Sequence, residues 1–152
     1  MIIKYEDLNS LQKEKTVYVG GVFDLLHPGH IYIFKYIKKK LPDHKLVVGI
    51  MRNERVKILK GTKRPIMTDL ERLEMVDAVK YVDFSFIYPI TELDRPNWYE
   101  VPKRLKPEYI FAEIGSPIDP EKLKKIGITL VYFKKKEGIS TTKIIERIKK
   151  NG

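Results

Sequence analysis

The 152-residue chain contains no cysteine. Disulfides, thiolate zinc sites and a cysteine nucleophile are therefore excluded. Acidic residues are outnumbered, with 20 Asp and Glu against 30 Lys and Arg, for a formal charge of +10. No apolar stretch approaches the ~20 residues that a membrane-spanning helix requires. Met1–Lys15 carries charges every few positions where a secretion signal would have an apolar centre. The expectation is a soluble, cytoplasmic protein with no membrane partner.

The length suits one domain, residues 1–152, with a sizeable core. With 43% hydrophobic and 33% charged residues in alternating runs, a disordered chain is disfavoured. The basic excess fits nucleic acid, an acidic membrane or small phosphorylated molecules. The lysine runs at Lys38–Lys40, Lys134–Lys136 and Lys149–Lys150, however, fall at expected ends of helices and strands. There they suit the helix dipole and keep a surface soluble, so charge alone identifies no partner.

The chain alternates strand and helix patterns. Strands are expected at Thr16–Gly21, Leu46–Met51, Val82–Ile87, Tyr109–Ala112 and Ile128–Phe133. Helices are expected at His30–Lys40, from Thr68 to about Val79 with Leu70, Leu73, Val76 and Val79 inward, at Trp98–Leu105, at Glu121–Lys125 after Pro120, and from a Ser140 or Thr141 cap to Lys149. Thr68 and Glu71 have capping-box spacing. This order implies an α/β fold, a doubly wound, mostly parallel five-stranded Rossmann-like sheet with helices on both faces. Ligands of such sheets bind beyond the carboxyl ends of the strands, so the loops after strands one, two, four and five are the places to look.

The loop after strand one reads Gly20-Gly21-Val22-Phe23-Asp24-Leu25-Leu26-His27-Pro28-Gly29-His30. Its glycines let the backbone approach a ligand, and the helix start offers free N–H groups to an anion. His27 and His30, three residues apart, add two imidazole donors suited to charge that grows during phosphoryl transfer. The alternative is a pair of caps or metal ligands, though no third histidine or cysteine lies nearby to complete a metal site.

At these residues the sequence resembles the cytidylyltransferase-like nucleotidyltransferases, marked by a strand, a G-x-F-D-x-x-H-x-G-H loop and a helix. Every fixed position matches from Gly21 to His30. The resemblance implies that His27 and His30 bind the triphosphate and stabilise the transition state at the α-phosphorus, with Gly21, Val22, Phe23, Asp24 and Gly29 in the nucleotide site. Asp24 is expected to orient the loop or a magnesium-bound water.

Two further stretches support it. Lys57-Ile58-Leu59-Lys60-Gly61-Thr62-Lys63-Arg64-Pro65 reads as a basic loop after strand two. By itself it is a solvated loop; the resemblance implies phosphate-binding lysines there, with Lys57 in the catalytic and acceptor-binding sets, Lys60 on the nucleotide and Arg64 on the acceptor. Arg72, in a segment resembling the family's E-R-x-x-x-V helix, is either structural or substrate-facing. Near the end, Lys135, Gly138, Ile139, Ser140, Thr141 and Thr142 lie at a second helix start, a further anion-binding terminus. Glu137–Thr142 is similar to the E-G-I-S-T-T element of glycerol-3-phosphate cytidylyltransferases, and ADP-heptose synthases carry a like S-T-T. After strand four the family's Gly-Asp-Asp or Gly-Gly-Asp element is replaced by Glu113-Ile114-Gly115, leaving Glu113 as the available carboxylate. Asn97-Trp98 also echoes a cytidylyltransferase pair, with a core role for Trp98 as the default.

The resulting expectation is a nucleotidyltransferase that passes a nucleoside monophosphate from CTP, favoured over ATP, to a small phosphorylated acceptor and releases pyrophosphate. Mg²⁺ is expected to bind mainly through the phosphates, with no protein metal site. No nucleic-acid partner is expected, and the resemblance implies a homodimer. Polar residues such as Lys63, Arg95 and Glu113 suit many acceptors. The alternatives are a non-catalytic nucleotide sensor, an adenylyltransferase acting on a sugar or flavin phosphate, and an RNA-binding module.

Overall fold

The computed structural model describes residues 1–89 and 99–152. Its described strands, β1 (Thr16–Gly21), β2 (Lys45–Ile50), β3 (Phe84–Ile87), β4 (Tyr109–Glu113) and β5 (Thr129–Phe133), form one sheet in the order β3-β2-β1-β4-β5. Every pairing is parallel. The expected doubly wound architecture is therefore present. The chain moves outward from β1 through β2 to β3, then crosses to β4 on the other side of β1. The topological switch point thus lies at the carboxyl ends of β1 and β4.

Alternation along β1 divides the core. Val17 and Val19 enter a cluster with Phe34 and Ile37 of α1 (Pro28–Lys40) and Leu73 and Val76 of α3 (Asp69–Asp77). Tyr18 points to the opposite face. There it packs with Phe86, Val101 and Leu105 of α4 (Glu100–Leu105) and Leu123 of α5 (Pro120–Lys124). A 3-10 helix at Tyr5–Lys13 seals this second face by burying Leu8 and Leu11, three residues apart.

Several sequence expectations change. The first helix begins at Pro28, because His27 is its cap. The first part of the stretch read as a basic loop, Lys57–Lys60, is helical: α2 spans Asn53–Lys60 and leaves Gly61–Pro65 as loop. The Thr68–Glu71 capping box forms in both directions, at 3.3 and 2.8 Å. The helix it starts ends at Asp77, and Leu70, in its first turn, is 68% exposed where an inward position was expected. The third strand starts at Phe84 and the fifth at Thr129; Val82 and Ile128 are buried just ahead of them. Ser140, not Thr141, caps the last helix, α6 (Thr141–Asn151). The readings placed on Arg95, Asn97 and Trp98 lie outside the described residues.

Candidate nucleotide site

A cavity of about 310 Å³ opens at the carboxyl end of β1, on the face covered by α1. Its floor is the turn from β1 into α1. Phe23 and Leu25 both hold positive φ values, 53° and 48°. Strain of that kind in non-glycine residues persists only where the surroundings enforce it. Here Phe23 is buried against Phe34, with ring centroids 5.3 Å apart, and meets His30 edge-on at 5.4 Å.

The two histidines cap the helix and line the cavity as well. His27 Nδ1 accepts from the Gly29 N–H at 3.1 Å, and His30 Nδ1 accepts from the His27 N–H at 3.3 Å. This is a capping box built from imidazoles. With each Nδ1 occupied as an acceptor, the neutral rings carry their protons on Nε2. The rings stack at 3.8 Å, inclined by 25°. Gly29 is required by this packing, since a Cβ there would stand 2.8 Å from His27 Cε1. Burial, followed by His27 and Lys135, pulls the His30 pKa down to about 3. Burial and Lys135 also lower that of His27. At neutral pH the site therefore presents two uncharged Nε2–H donors.

Asp24 is 1% exposed and ties the floor to the basic loop. Its carboxylate accepts from the Ile66 N–H at 2.8 Å, the Met67 N–H at 2.9 Å and Arg64 Nε at 3.3 Å. Those bonds hold Arg64 at the cavity wall. They make Asp24 an orienting group for the loop, with its oxygens occupied by protein donors.

From the other end of the chain, α6 aims its N-terminus at the same cavity. Ser140 accepts from the Lys143 N–H at 3.1 Å, and Thr141 Oγ1 donates to the Asp24 carbonyl at 2.8 Å. Ile139 and Thr142 complete this wall. Lys135 bridges to Glu113, the last residue of β4, at 3.3 Å. Lys60 stands at the rim, where burial together with Lys135 and Arg64 lowers its pKa. Two helix N-termini and a set of cations thus face one space, an arrangement that binds a polyanion. Among the described residues, no group of three His, Asp or Glu side chains is gathered to hold a metal ion.

Fifteen of the residues expected from sequence meet at this cavity, from Gly21 and Val22 through Glu113 to Thr142, and three do not. Lys57 lies exposed on α2 and Gly138 supplies a left-handed turn, φ 85°, ahead of α6; neither lines the wall. Arg72 is corrected more strongly. It is fully buried, donating to the carbonyls of Met67 and Val22 and to Asn53 Oδ1. Burial lowers its pKa against the pull of Asp24 and Asp69. Arg72 is a structural clamp beneath the floor, buried away from any substrate phosphate. Sequence reasoning missed Met51, Phe133 and Lys136 on the wall. Their signal was position: each ends or follows a strand beside the switch point.

Residues 18–147 match the model of the cytidylyltransferase-like family, and the chain belongs to that family. It is 40% identical over 141 residues to the FAD synthase of Pyrococcus horikoshii, covering 87% of this chain and 90% of that protein. It is 34% identical to the bifunctional protein HldE of Campylobacter jejuni, covering 95% of this chain and 30% of the longer relative. Among solved structures, a lipopolysaccharide core biosynthesis protein from Thermoplasma volcanium superposes with a TM-score of 0.64 at 29% identity, over 82% of this chain and 99% of that one. The chain is thus a nucleotidyltransferase of this family.

Proposed function

We propose that the chain is an adenylyltransferase that transfers AMP from ATP to a flavin mononucleotide and releases pyrophosphate. The observation that carries the reaction class is the convergence of two helix N-termini on one cavity, with stacked histidines presenting Nε2–H donors. The acceptor and base rest on the likeness to proteins named FAD synthase along nearly their full length. This reading moves the nucleotide from the CTP suggested by the E-G-I-S-T-T element to ATP.

In the reaction, an oxygen of the acceptor phosphate attacks the α-phosphorus. A new P–O bond forms as the α–β P–O bond breaks, and pyrophosphate leaves with the electron pair. Such transfers depend on position and charge stabilisation more than on covalent help. His27 and His30 donate to the oxygens on which charge accumulates. Ser140, Thr141 and Thr142 hold the β- and γ-phosphates through hydroxyl and N–H groups. Lys60, Arg64 and Lys135 neutralise them, whereas Lys57 stays outside the chemistry. Glu113, on the cavity wall, would hold a water of a Mg²⁺ carried in on the phosphates, and the ion would offset their charge. A homodimer in the cytoplasm belongs to the same reading, and light scattering tests the assembly.

The test is FAD formation from ATP and FMN with Mg²⁺, followed by chromatography. Nucleotide binding without pyrophosphate release, across flavin, sugar and glycerol phosphates, would instead identify a sensor.

A further inference from the structure

A second cavity, of about 420 Å³, lies on the opposite face of the sheet. The two cavities share Gly20, Gly21, Met51 and Glu113, so they meet over the carboxyl end of β1, where two glycines place no side chain between them. Their chemistry differs. Among the described residues no Lys, Arg or His lines the second cavity. Its wall is made by Tyr18, Tyr88 and aliphatic groups such as Ile110, Ile114 and Ile118, with Ser116 and Glu113 as polar rim.

Tyr18 is the unusual member. Its side chain is 4% exposed, and its buried hydroxyl has no hydrogen-bond partner among the described residues. Such groups normally find one. Gly20 and Gly49 open the room it occupies: a Cβ on either would stand 2.6 or 2.7 Å from that hydroxyl. The Tyr88 hydroxyl crowds the same point above Gly20, at 2.5 Å. Behind them, Phe86 stacks on Tyr18 at 6.1 Å and tilts against Tyr88 at 5.6 Å.

We infer that this second cavity takes the ring system of the acceptor, a planar heteroaromatic group whose polar edge meets the Tyr18 hydroxyl. The inference rests on the proposed nucleotidyltransferase reading and names the part of the acceptor that the site selects. A polyol would need several donors and acceptors, and the described residues of this wall supply few. A fused ring uses aromatic and aliphatic walls together with one or two aimed polar groups. Among the described residues its wall offers no cation to a phosphate. The acceptor's phosphate therefore extends over Gly20–Gly21 toward the first cavity. From there it approaches the α-phosphorus across the sheet from the side opposite the pyrophosphate held at the α6 terminus, as in-line displacement requires.

Titration of the protein with FMN, read by flavin fluorescence, tests this alongside titration with a non-hydrolysable ATP analogue read by calorimetry. Tyr18→Phe removes only the hydroxyl, and Ile118→Trp adds bulk to the wall. Both are expected to weaken FMN binding, about 10-fold for the first and beyond detection for the second, with the ATP analogue binding as before. Wild-type binding of FMN that neither variant changes would overturn the cavity assignment and leave the flavin reading standing. Absence of FMN binding by the wild type, with pyrophosphate release on a sugar phosphate, would overturn both.

Discussion

The two helix N-termini that face the nucleotide cavity perform the same electrostatic task on very different foundations. The α1 terminus is rooted: Ile33, Phe34 and Ile37 are buried, and its first turn is fixed by the imidazole capping box. The α6 terminus is not. No α6 residue is fully buried: Ile144 and Ile145 are half-buried, Ile148 is 62% exposed, and the described hydrogen bond joining the helix to the site is Thr141 Oγ1 to the Asp24 carbonyl. Preorganised donors can stabilise a transition state without rearranging, so the rooted terminus suits chemistry at the α-phosphorus. A lightly held element suits binding, because it orders when ligand arrives. Asp24 connects the two, holding the basic loop with its carboxylate and α6 with its carbonyl.

The sharpest way to break this division is to remove a donor from each side. His30→Ala should lower kcat by about 10²–10³, whereas Ser140→Ala should act mainly on the KM for nucleotide, raising it about 10-fold. Equal losses of kcat from both would remove the distinction. Asp24→Ala strips the partners from two backbone N–H groups and Arg64. It should cost about 3 kcal/mol in urea unfolding as well as activity, and unchanged stability would mean the tie is decorative.

A finer cut is Thr141→Val, which keeps the shape and loses the bond to Asp24. A rise of about 5-fold in nucleotide KM with kcat retained is expected from steady-state kinetics. The smallest effect is on pH dependence. Because burial holds His30 near 3 in the fold against an ordinary value of 6.5, protonation favours the unfolded chain. His30 should therefore make stability fall as pH drops from about 6.5 toward 3, and bound triphosphate should raise its pKa in an NMR titration. A free His30 titrating near 6.5 would contradict the described burial.

The same contrast explains what could be read from sequence. The rooted terminus was legible because strand, glycines, histidines and helix follow one another within a few residues, and local order sufficed. The role of Arg72 was not, since its three partners come from Val22, Asn53 and Met67, and only the folded chain brings them together. Lys57 was misplaced for a related reason. Its charge suited a loop, but Val56 is buried and anchors that stretch as a helix. The 3-10 helix was overlooked although Leu8 and Leu11 stood at telling spacing, because the charges around them dominated the pattern. The second cavity has no motif at all: Tyr18, Tyr88 and Ile118 are joined only by strand register and the crossover to β4.

The central claim is tested most directly by incubating the protein with Mg²⁺ and FMN in the presence of ATP or of CTP, with pyrophosphate and flavin products measured together. The account predicts pyrophosphate and FAD in equal amounts with ATP, and neither a dinucleotide nor acceptor-dependent pyrophosphate with CTP. Acceptor-dependent release with CTP, or with ATP and a sugar phosphate while FMN stays unchanged, would contradict it.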